Sequence, residues 1–110
     1  MRYLLPLIVV ALVMYPQFMR ADQVVASDDF GDGGAMQWVS ELENGGTVQI
    51  HRGKLEIDVP AGCTVWFKPK ITGPVQIEYD ATVISAGGPN DRVSDLNCFW
   101  MASDPRHAVT

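Results

Sequence analysis

Two stretches of strict alternation between apolar and polar residues limit most strongly what this chain can fold into. Residues 47–51 alternate, and residues 54–59 resume the pattern after Arg52-Gly53. Successive side chains of a strand point to opposite faces, so an alternation of period two predicts half-buried strands. The break between the two stretches predicts a hairpin turn in which Gly53 supplies a positive φ.

Further strands are expected along the rest of the chain. Residues 63–68 form a short apolar run before Pro69, residues 75–85 hold the longest alternation, and residues 93–101 follow a loop of strong breakers at 86–91. There is no convincing helical stripe. About six strands with turns between them predict an all-β fold, an antiparallel sandwich or barrel.

The N-terminus has the order of charge, apolar core and small residue that secretory signals share. Arg2 precedes an uncharged run over residues 4–15, and Ala21 offers a small residue for cleavage. We therefore predict a signal peptide at residues 1–21, with Ala26 as a second cleavage position and an N-terminal anchor or a buried helix as alternatives. The run is shorter than the roughly 18 apolar residues of a spanning helix. We expect a secreted or periplasmic protein without membrane contact after cleavage.

The charge balance narrows the range of partners. The chain has 8 basic and 13 acidic residues, which gives a formal net charge of −5. An acidic chain lacks the basic surface that binds nucleic acid or anionic lipid. The same balance mildly disfavours a uronate-rich glycan, because like charges repel.

Residues 22–110 are few for a complete sandwich. Seven-stranded immunoglobulin-like sandwiches take about 100 residues, and eight-stranded jelly rolls usually take more. No closing element follows the predicted strand at 93–101. We therefore expect residues 22–110 to be the N-terminal part of a single β-sandwich domain that is incomplete at its C-terminus.

The cysteines and tryptophans lie in apolar, strand-like runs. Cys63 and Cys98 are an even pair, which in an oxidising compartment predicts a disulfide. The alternative is two buried free thiols, since cysteine is among the most buried residue types. The three tryptophans are expected in the core rather than on a sugar-binding surface: Trp38, Trp66 and Trp100.

The segment after the Gly-Gly-Pro turn carries the candidate binding residues. Loop residues at a strand entrance are free to meet a ligand. Amide and carboxylate groups beside an aromatic ring suit a sugar, whose hydroxyls need hydrogen bonds and whose C–H face stacks on rings. In the alternative, Arg92 forms an ion pair with Asp91 or Asp95 and braces the loop. The predicted substrate-binding residues are Asn90, Arg92, Asp95 and Asn97.

A metal site is not expected. Two cysteines without a histidine at ligand spacing do not make a zinc site. The early acidic cluster lacks the regular ligand spacing and terminal Glu of a calcium loop, so we expect no cofactor and leave calcium open. The cluster comprises Asp28, Asp29 and Asp32 with Gly31 and Gly33.

Longer motifs bear a resemblance to a known group. The opening Asp28-Asp29-Phe30, Trp38 and the Gly53-Lys54-Leu55 turn resemble secreted β-sandwich proteins of the concanavalin/laminarinase-like group, many of which act on polysaccharides. Residues 61–67 and 87–105 resemble a bacterial family labelled as a domain of unknown function, whose members are often encoded among carbohydrate-degradation genes. The resemblance covers residues 27–107. It implies a concanavalin-like jelly roll and a longer parent protein.

Catalytic residues stay unassigned. Laminarinase-like hydrolases carry Glu-x-Asp followed by a second Glu, which sets two carboxyls about 5–5.5 Å apart. Glu78 and Asp80 match the first half of that pattern, whereas Thr82 and Val83 stand where the second Glu would fall. A solvated strand face is the simpler interpretation of the pair.

Three functions remain open on the sequence. The first is a secreted carbohydrate-active protein, either a polysaccharide hydrolase or a lyase. The second is a non-catalytic carbohydrate-binding sandwich, and the third is a structural sandwich without a ligand. The expected partner in the first two is a poly- or oligosaccharide, and whether the protein is an enzyme is left undecided.

Overall fold

The computed structural model describes residues 2–12, 23–31 and 37–103. Within these ranges the chain forms strands and no α-helix. The strands are β1 (Arg2–Leu5), β2 (Ile8–Leu12), β3 (Gln23–Asp28), β4 (Trp38–Leu42), β5 (Thr47–His51), β6 (Lys54–Asp58), β7 (Cys63–Phe67), β8 (Val75–Tyr79) and β9 (Thr82–Ile84). The paired strands all run antiparallel. The predicted all-β, antiparallel fold is confirmed, and the arrangement is consistent with a β-sandwich.

The described strands form three sheets. The largest has the order β5-β6-β1-β9, the second has the order β3-β2-β8, and β4 pairs with β7. Backbone bonds extend the β4–β7 pair at both ends, from Glu43 N to Gly62 O and from Lys68 N to Gln37 O. In this arrangement, strands that neighbour each other in a sheet are often distant in sequence, as β1 and β9 are.

The predicted hairpin between β5 and β6 is confirmed. His51 faces Lys54 across a two-residue turn. Arg52 has a φ of 53° and Gly53 a φ of 71°, and a type I′ turn needs positive φ at both positions. The alternation then places Leu55 and Ile57 in the core at 4% and 6% exposure.

The core lies between the sheets and draws on each of them. Its buried members are Tyr3, Leu5, Phe30, Leu55, Ile57 and Val59. Partly buried side chains from the other sheets pack against them, among them Trp38, Val65 and Tyr79. Phe30 is 1% exposed, and its ring centroid lies 6.0 Å from that of Trp38.

The longest predicted strand is two strands. Residues 75–85 divide at Asp80-Ala81 into β8 and β9. β8 pairs with β2, whereas β9 pairs with β1 in a different sheet. Alternation along the sequence continues through the break, so the pattern alone could not show that the chain changes sheets there.

The predicted strand at 93–101 is absent. Residues 92–103 are described and contain no strand. A strand that follows β9 would ordinarily pair back onto it as a hairpin. β1 pairs with one edge of β9, and no described strand pairs with the other. The segment joins neither edge and exposes Val93 and Met101 at 99% and 95%.

The predicted signal peptide overlaps described strands. Its residues 2–5 and 8–12 form β1 and β2, each the inner strand between two neighbours. Tyr3, Leu5 and Val10 are buried. Removal of residues 1–21 and export stay predictions. No helix in the described ranges is long and apolar enough to cross a membrane.

Candidate functional site

Asp91 organises the loop over residues 85–92 from within. Its Oδ2 accepts a 2.8 Å bond from the Gly87 amide and a 3.2 Å bond from Ser85 Oγ, and its own amide donates to Gly88 O at 3.2 Å. The bond from Gly87 is the main cause of a lowered pKa of Asp91, with the Ser85 hydroxyl adding to it. Gly87 has a φ of 82°, a region that glycine enters without strain.

Arg92 ties the end of this loop to the residues that follow β6. Its Nη1 donates to Val59 O at 2.6 Å, and its Nη2 donates to Ala61 O at 2.9 Å. The guanidinium thus uses its planar fork on two backbone carbonyls. A bracing role was one of the two alternatives for Arg92. The acceptors are carbonyl oxygens rather than the carboxylates of Asp91 or Asp95.

Asn90 makes a second tie to the same place. Its Nδ2 donates to Asp58 Oδ1 at 2.9 Å, and the contact is partly buried. Asp58 is the last residue of β6. Two of the four predicted binding residues, Asn90 and Arg92, therefore hold the loop against the end of β6.

Asp95 and Asn97 lie farther along, in the exposed segment. Asn97 Nδ2 donates to Asp95 Oδ2 at 3.0 Å, in full contact with solvent. Phe99 follows at 81% exposure and Trp100 at 65%. The expectation that Trp100 is a core residue is wrong, because the segment forms no strand that would turn one face inward. Trp38, by contrast, packs on the core.

The two cysteines are free thiols in the structure, Cys63 half-buried and Cys98 exposed. Burial raises the pKa of the Cys63 thiol, against the opposing influence of the nearby Arg92 guanidinium. A raised pKa leaves the thiol protonated and unreactive at neutral pH. Their pairing in an oxidising compartment stays a prediction.

The early acidic cluster serves local structure where it is described. Asp28 is 6% exposed, and its two oxygens accept bonds from Phe30 N at 2.8 Å and from Trp38 Nε1 at 2.7 Å. Asp29 Oδ1 accepts from Gly31 N at 3.0 Å. Asp32 and Gly33 lie outside the described residues. In the described ranges, no three potential ligands gather as a metal site would require.

Glu78 and Asp80 do not form an evident catalytic pair. Both are exposed, one inside β8 and one after it. Gln76 Nε2 donates to Glu78 Oε1 along the same face. The pair fits the solvated strand face that the sequence favoured.

The comparisons with known proteins locate a family match in the second half of the chain. Residues 57–110 match the model of a family described as a domain of unknown function (DUF6250). The match covers just under half of the chain, and it includes the 85–92 loop and the exposed segment after it. No curated protein and no solved structure matches. The concanavalin-like relationship and the carbohydrate-gene setting stay predictions.

Sequence reasoning missed the bond between Asp28 and Trp38, which joins two sheets. Nothing in the spacing of ten residues between them signals it. It also missed that Asn90 and Arg92 bind the end of β6, although the Gly-Gly-Pro turn before them did indicate a folded loop. Alternation finds faces of strands, whereas contacts between a loop and a distant strand end leave no periodic mark.

Proposed function

We propose that this protein is a carbohydrate-binding protein that works outside the cytoplasm and holds its glycan on the segment of residues 93–101. The observation that carries the proposal is the exposed pair of Asp95 and Asn97, followed two residues later by the exposed ring of Phe99. A carboxylate accepts from sugar hydroxyls, an amide both donates and accepts, and a ring offers a surface for the C–H face of the sugar.

The division of labour within the 85–101 region supports this site. Asn90 and Arg92 are engaged by Asp58, Val59 and Ala61. Their bonds fix the start of the exposed segment, so they act as positioning residues. Asp95 and Asn97 bond to each other in solvent, and a sugar hydroxyl replaces such a bond at little cost.

Binding is favoured over catalysis as the activity of the described residues. Hydrolysis with retention needs two carboxyls about 5–5.5 Å apart, and Glu78 is engaged by its neighbour Gln76. The net charge of −5 favours a neutral glycan over a uronate polymer. The polysaccharide hydrolase or lyase is the competing proposal, and turnover of a glycan by the same chain would decide for it.

Binding to polysaccharides in affinity gels tests the proposal, with the neutral glucan laminarin and the acidic polygalacturonate as probes. We expect retardation by laminarin, and a loss of affinity of about five- to tenfold in Asn97→Ala and in Phe99→Ala, which is the scale of one hydrogen bond or ring contact. Val93→Ala is the matched control, since Val93 is 99% exposed in the same segment. Absence of retardation by either glycan, or equal affinity of all variants, would overturn the proposal.

A further inference from the structure

Strand β1 occupies a slot that the chain itself could fill from the other end. β1 lies between β6 and β9 and pairs with both, Arg2 facing Asp58 and Ile84, and Leu4 facing Glu56 and Thr82. A segment that fills this slot must start at the Asp58 and Ile84 end and run antiparallel to both neighbours.

The segment of residues 93–101 starts at that end. β9 finishes at Ile84, and the 85–92 loop turns back from it. Asn90 bonds to Asp58, and Arg92 bonds to Val59 and Ala61. These ties hold the start of the segment on the β6 side of β9, at the mouth of the slot, and not on the outer edge of β9, which pairs with no described strand. A hairpin return from β9 would carry it into the slot in the required direction.

The sequence of the segment fits the slot. Residues 95–98 alternate as a half-buried strand does, and Leu96 already packs against the core. If Asn97 faces Glu56 as Leu4 does now, Leu96 and Cys98 take the inward places of Tyr3 and Leu5. If Asp95 faced Glu56 instead, Ser94 would point inward and its hydroxyl would be buried.

β1 is an imperfect occupant of the slot. Arg2 Nε is buried and has no hydrogen-bond partner among the described residues, and a buried unsatisfied donor destabilises the state that contains it. That donor would leave the sheet if the two segments exchanged places.

We propose that residues 2–5 and residues 93–101 are alternative occupants of one strand position between β6 and β9, so that release of the N-terminal strand lets the 93–101 segment enter the sheet. Asp95, Asn97 and Phe99 then share the outer face of one strand. The exchange does not depend on the proposed glycan binding, and its test contains no glycan.

Disulfide trapping in the full chain tests the exchange. In a background with Cys63→Ala and Cys98→Ala, one variant carries Leu4→Cys with Glu56→Cys and reports β1 in the slot. The other carries Asn97→Cys with Glu56→Cys and reports the 93–101 segment in the same place. The two pairs occupy equivalent positions in the register, so their oxidised fractions, read by mass spectrometry under limiting oxidant, are directly comparable.

Arg2→Asp is the perturbation. It sets a carboxylate opposite Asp58 when β1 fills the slot, where the alternative occupant already carries Asp95, and so it removes the charge advantage of β1. We expect the ratio of the Asn97 to the Leu4 cross-link to rise at least about tenfold, which corresponds to a change of about 1.4 kcal/mol in the free-energy difference between the two arrangements. Arg52→Asp is the matched control: it makes the same charge change at the exposed β5–β6 turn, where the φ of 53° suits aspartate, and it should leave the ratio unchanged.

Leu4→Pro gives an independent displacement, since proline removes a donor from a strand paired on both sides. It should likewise raise the oxidised fraction of the Asn97–Glu56 cysteine pair, and the β-sheet signal in circular dichroism should remain unchanged. Two results would overturn the proposal, because in either case nothing takes the place of β1. One is an unchanged ratio of the two cross-links in Arg2→Asp. The other is loss of the β-sheet circular dichroism in both Arg2→Asp and Leu4→Pro.

Discussion

Arg92 reaches back across 33 positions of sequence to donate a 2.6 Å hydrogen bond from Nη1 to the carbonyl oxygen of Val59. Its second nitrogen, Nη2, bonds to Ala61 O at 2.9 Å. Both acceptors lie just after β6. The contact fixes where the chain leaves the 85–92 loop, and it places a cation beside the half-buried Cys63.

Replacement of Arg92 by alanine should therefore destabilise the fold. Two charge-assisted bonds are lost, but their surroundings are partly solvated, so we expect a decrease of about 1–2 kcal/mol in the free energy of unfolding. Arg92→Lys should give a smaller decrease, because an ammonium cannot hold two carbonyls in one plane. Urea unfolding followed by tryptophan fluorescence measures both.

The control for Arg92 is Lys70→Ala, which removes a cation from an exposed position and should change the stability by less than about 0.5 kcal/mol. If Arg92→Ala left the stability unchanged but weakened glycan retardation, Arg92 would be a binding residue as the sequence first indicated, and the bracing role would be wrong.

The buried carboxylate of Asp28 leads to a second prediction. Both of its oxygens accept bonds, from Phe30 N and from Trp38 Nε1. In Asp28→Asn the amide oxygen can satisfy only one of these donors, and the amide nitrogen then faces the other. We expect a loss of about 2 kcal/mol in the free energy of unfolding.

Asp29→Asn is the matched control for Asp28→Asn. Asp29 is the exposed neighbour, and its single bond, from Gly31 N, can be kept by the amide oxygen. The stability should stay within about 0.5 kcal/mol of the wild type. Equal effects of the two substitutions in thermal and urea unfolding would mean that the bond to Trp38 contributes nothing.

The strands that alternation predicts best are those with one face on the core. The β5–β6 hairpin was predicted with its turn because Leu55 and Ile57 are buried and Gly53 takes the positive φ. The run at 93–101, which follows the breakers at 86–91, was also predicted as a strand, and the structure lacks it. A strand-like sequence specifies that a segment can pair, but whether it pairs depends on tertiary contacts: the loop before this segment is bound to the end of β6, away from the outer edge of β9.

The candidate site was predicted in part for a similar reason. The sequence singled out Asn90, Arg92, Asp95 and Asn97 by chemical type. It could not separate those that bind the scaffold from those left in solvent, because the separation depends on Asp58 and on the carbonyls after it, more than 30 positions away. Backbone carbonyls carry no sequence signature at all.

The turn between β4 and β5 offers a matched pair of glycines. Gly45 has a φ of 72°, and an added Cβ would meet nothing within 4 Å. Gly46 has a φ of 96°, and its Cβ would lie 2.7 Å from Asp58 O and 2.7 Å from Val59 Cα. Both substitutions by alanine incur the strain of a left-handed residue, about 1–2 kcal/mol.

Gly46→Ala should cost more than Gly45→Ala, because backbone atoms cannot give way as a flexible side chain can. Overpacking adds about 1–3 kcal/mol, so we expect roughly twice the loss of stability in urea unfolding. If the two variants unfolded at the same urea concentration, the close approach of Gly46 to the end of β6 would be wrong.

The last prediction concerns the pH dependence of the 85–92 loop. The pKa of Asp91 lies below its usual 3.8, mainly because its carboxylate accepts the bond from Gly87 N. A carboxyl whose pKa is lowered by folding stabilises the folded state at pH values above its unfolded pKa, and that contribution is lost as the pH falls through the lower folded value. The amide proton shift of Gly87, followed by NMR, should therefore titrate with a midpoint below 3.8. In Asp91→Asn this titration should disappear, and the difference in stability between variant and wild type should shrink as the pH falls through that midpoint. A Gly87 midpoint at or above the usual value of an aspartate would show that the carboxylate does not hold the turn.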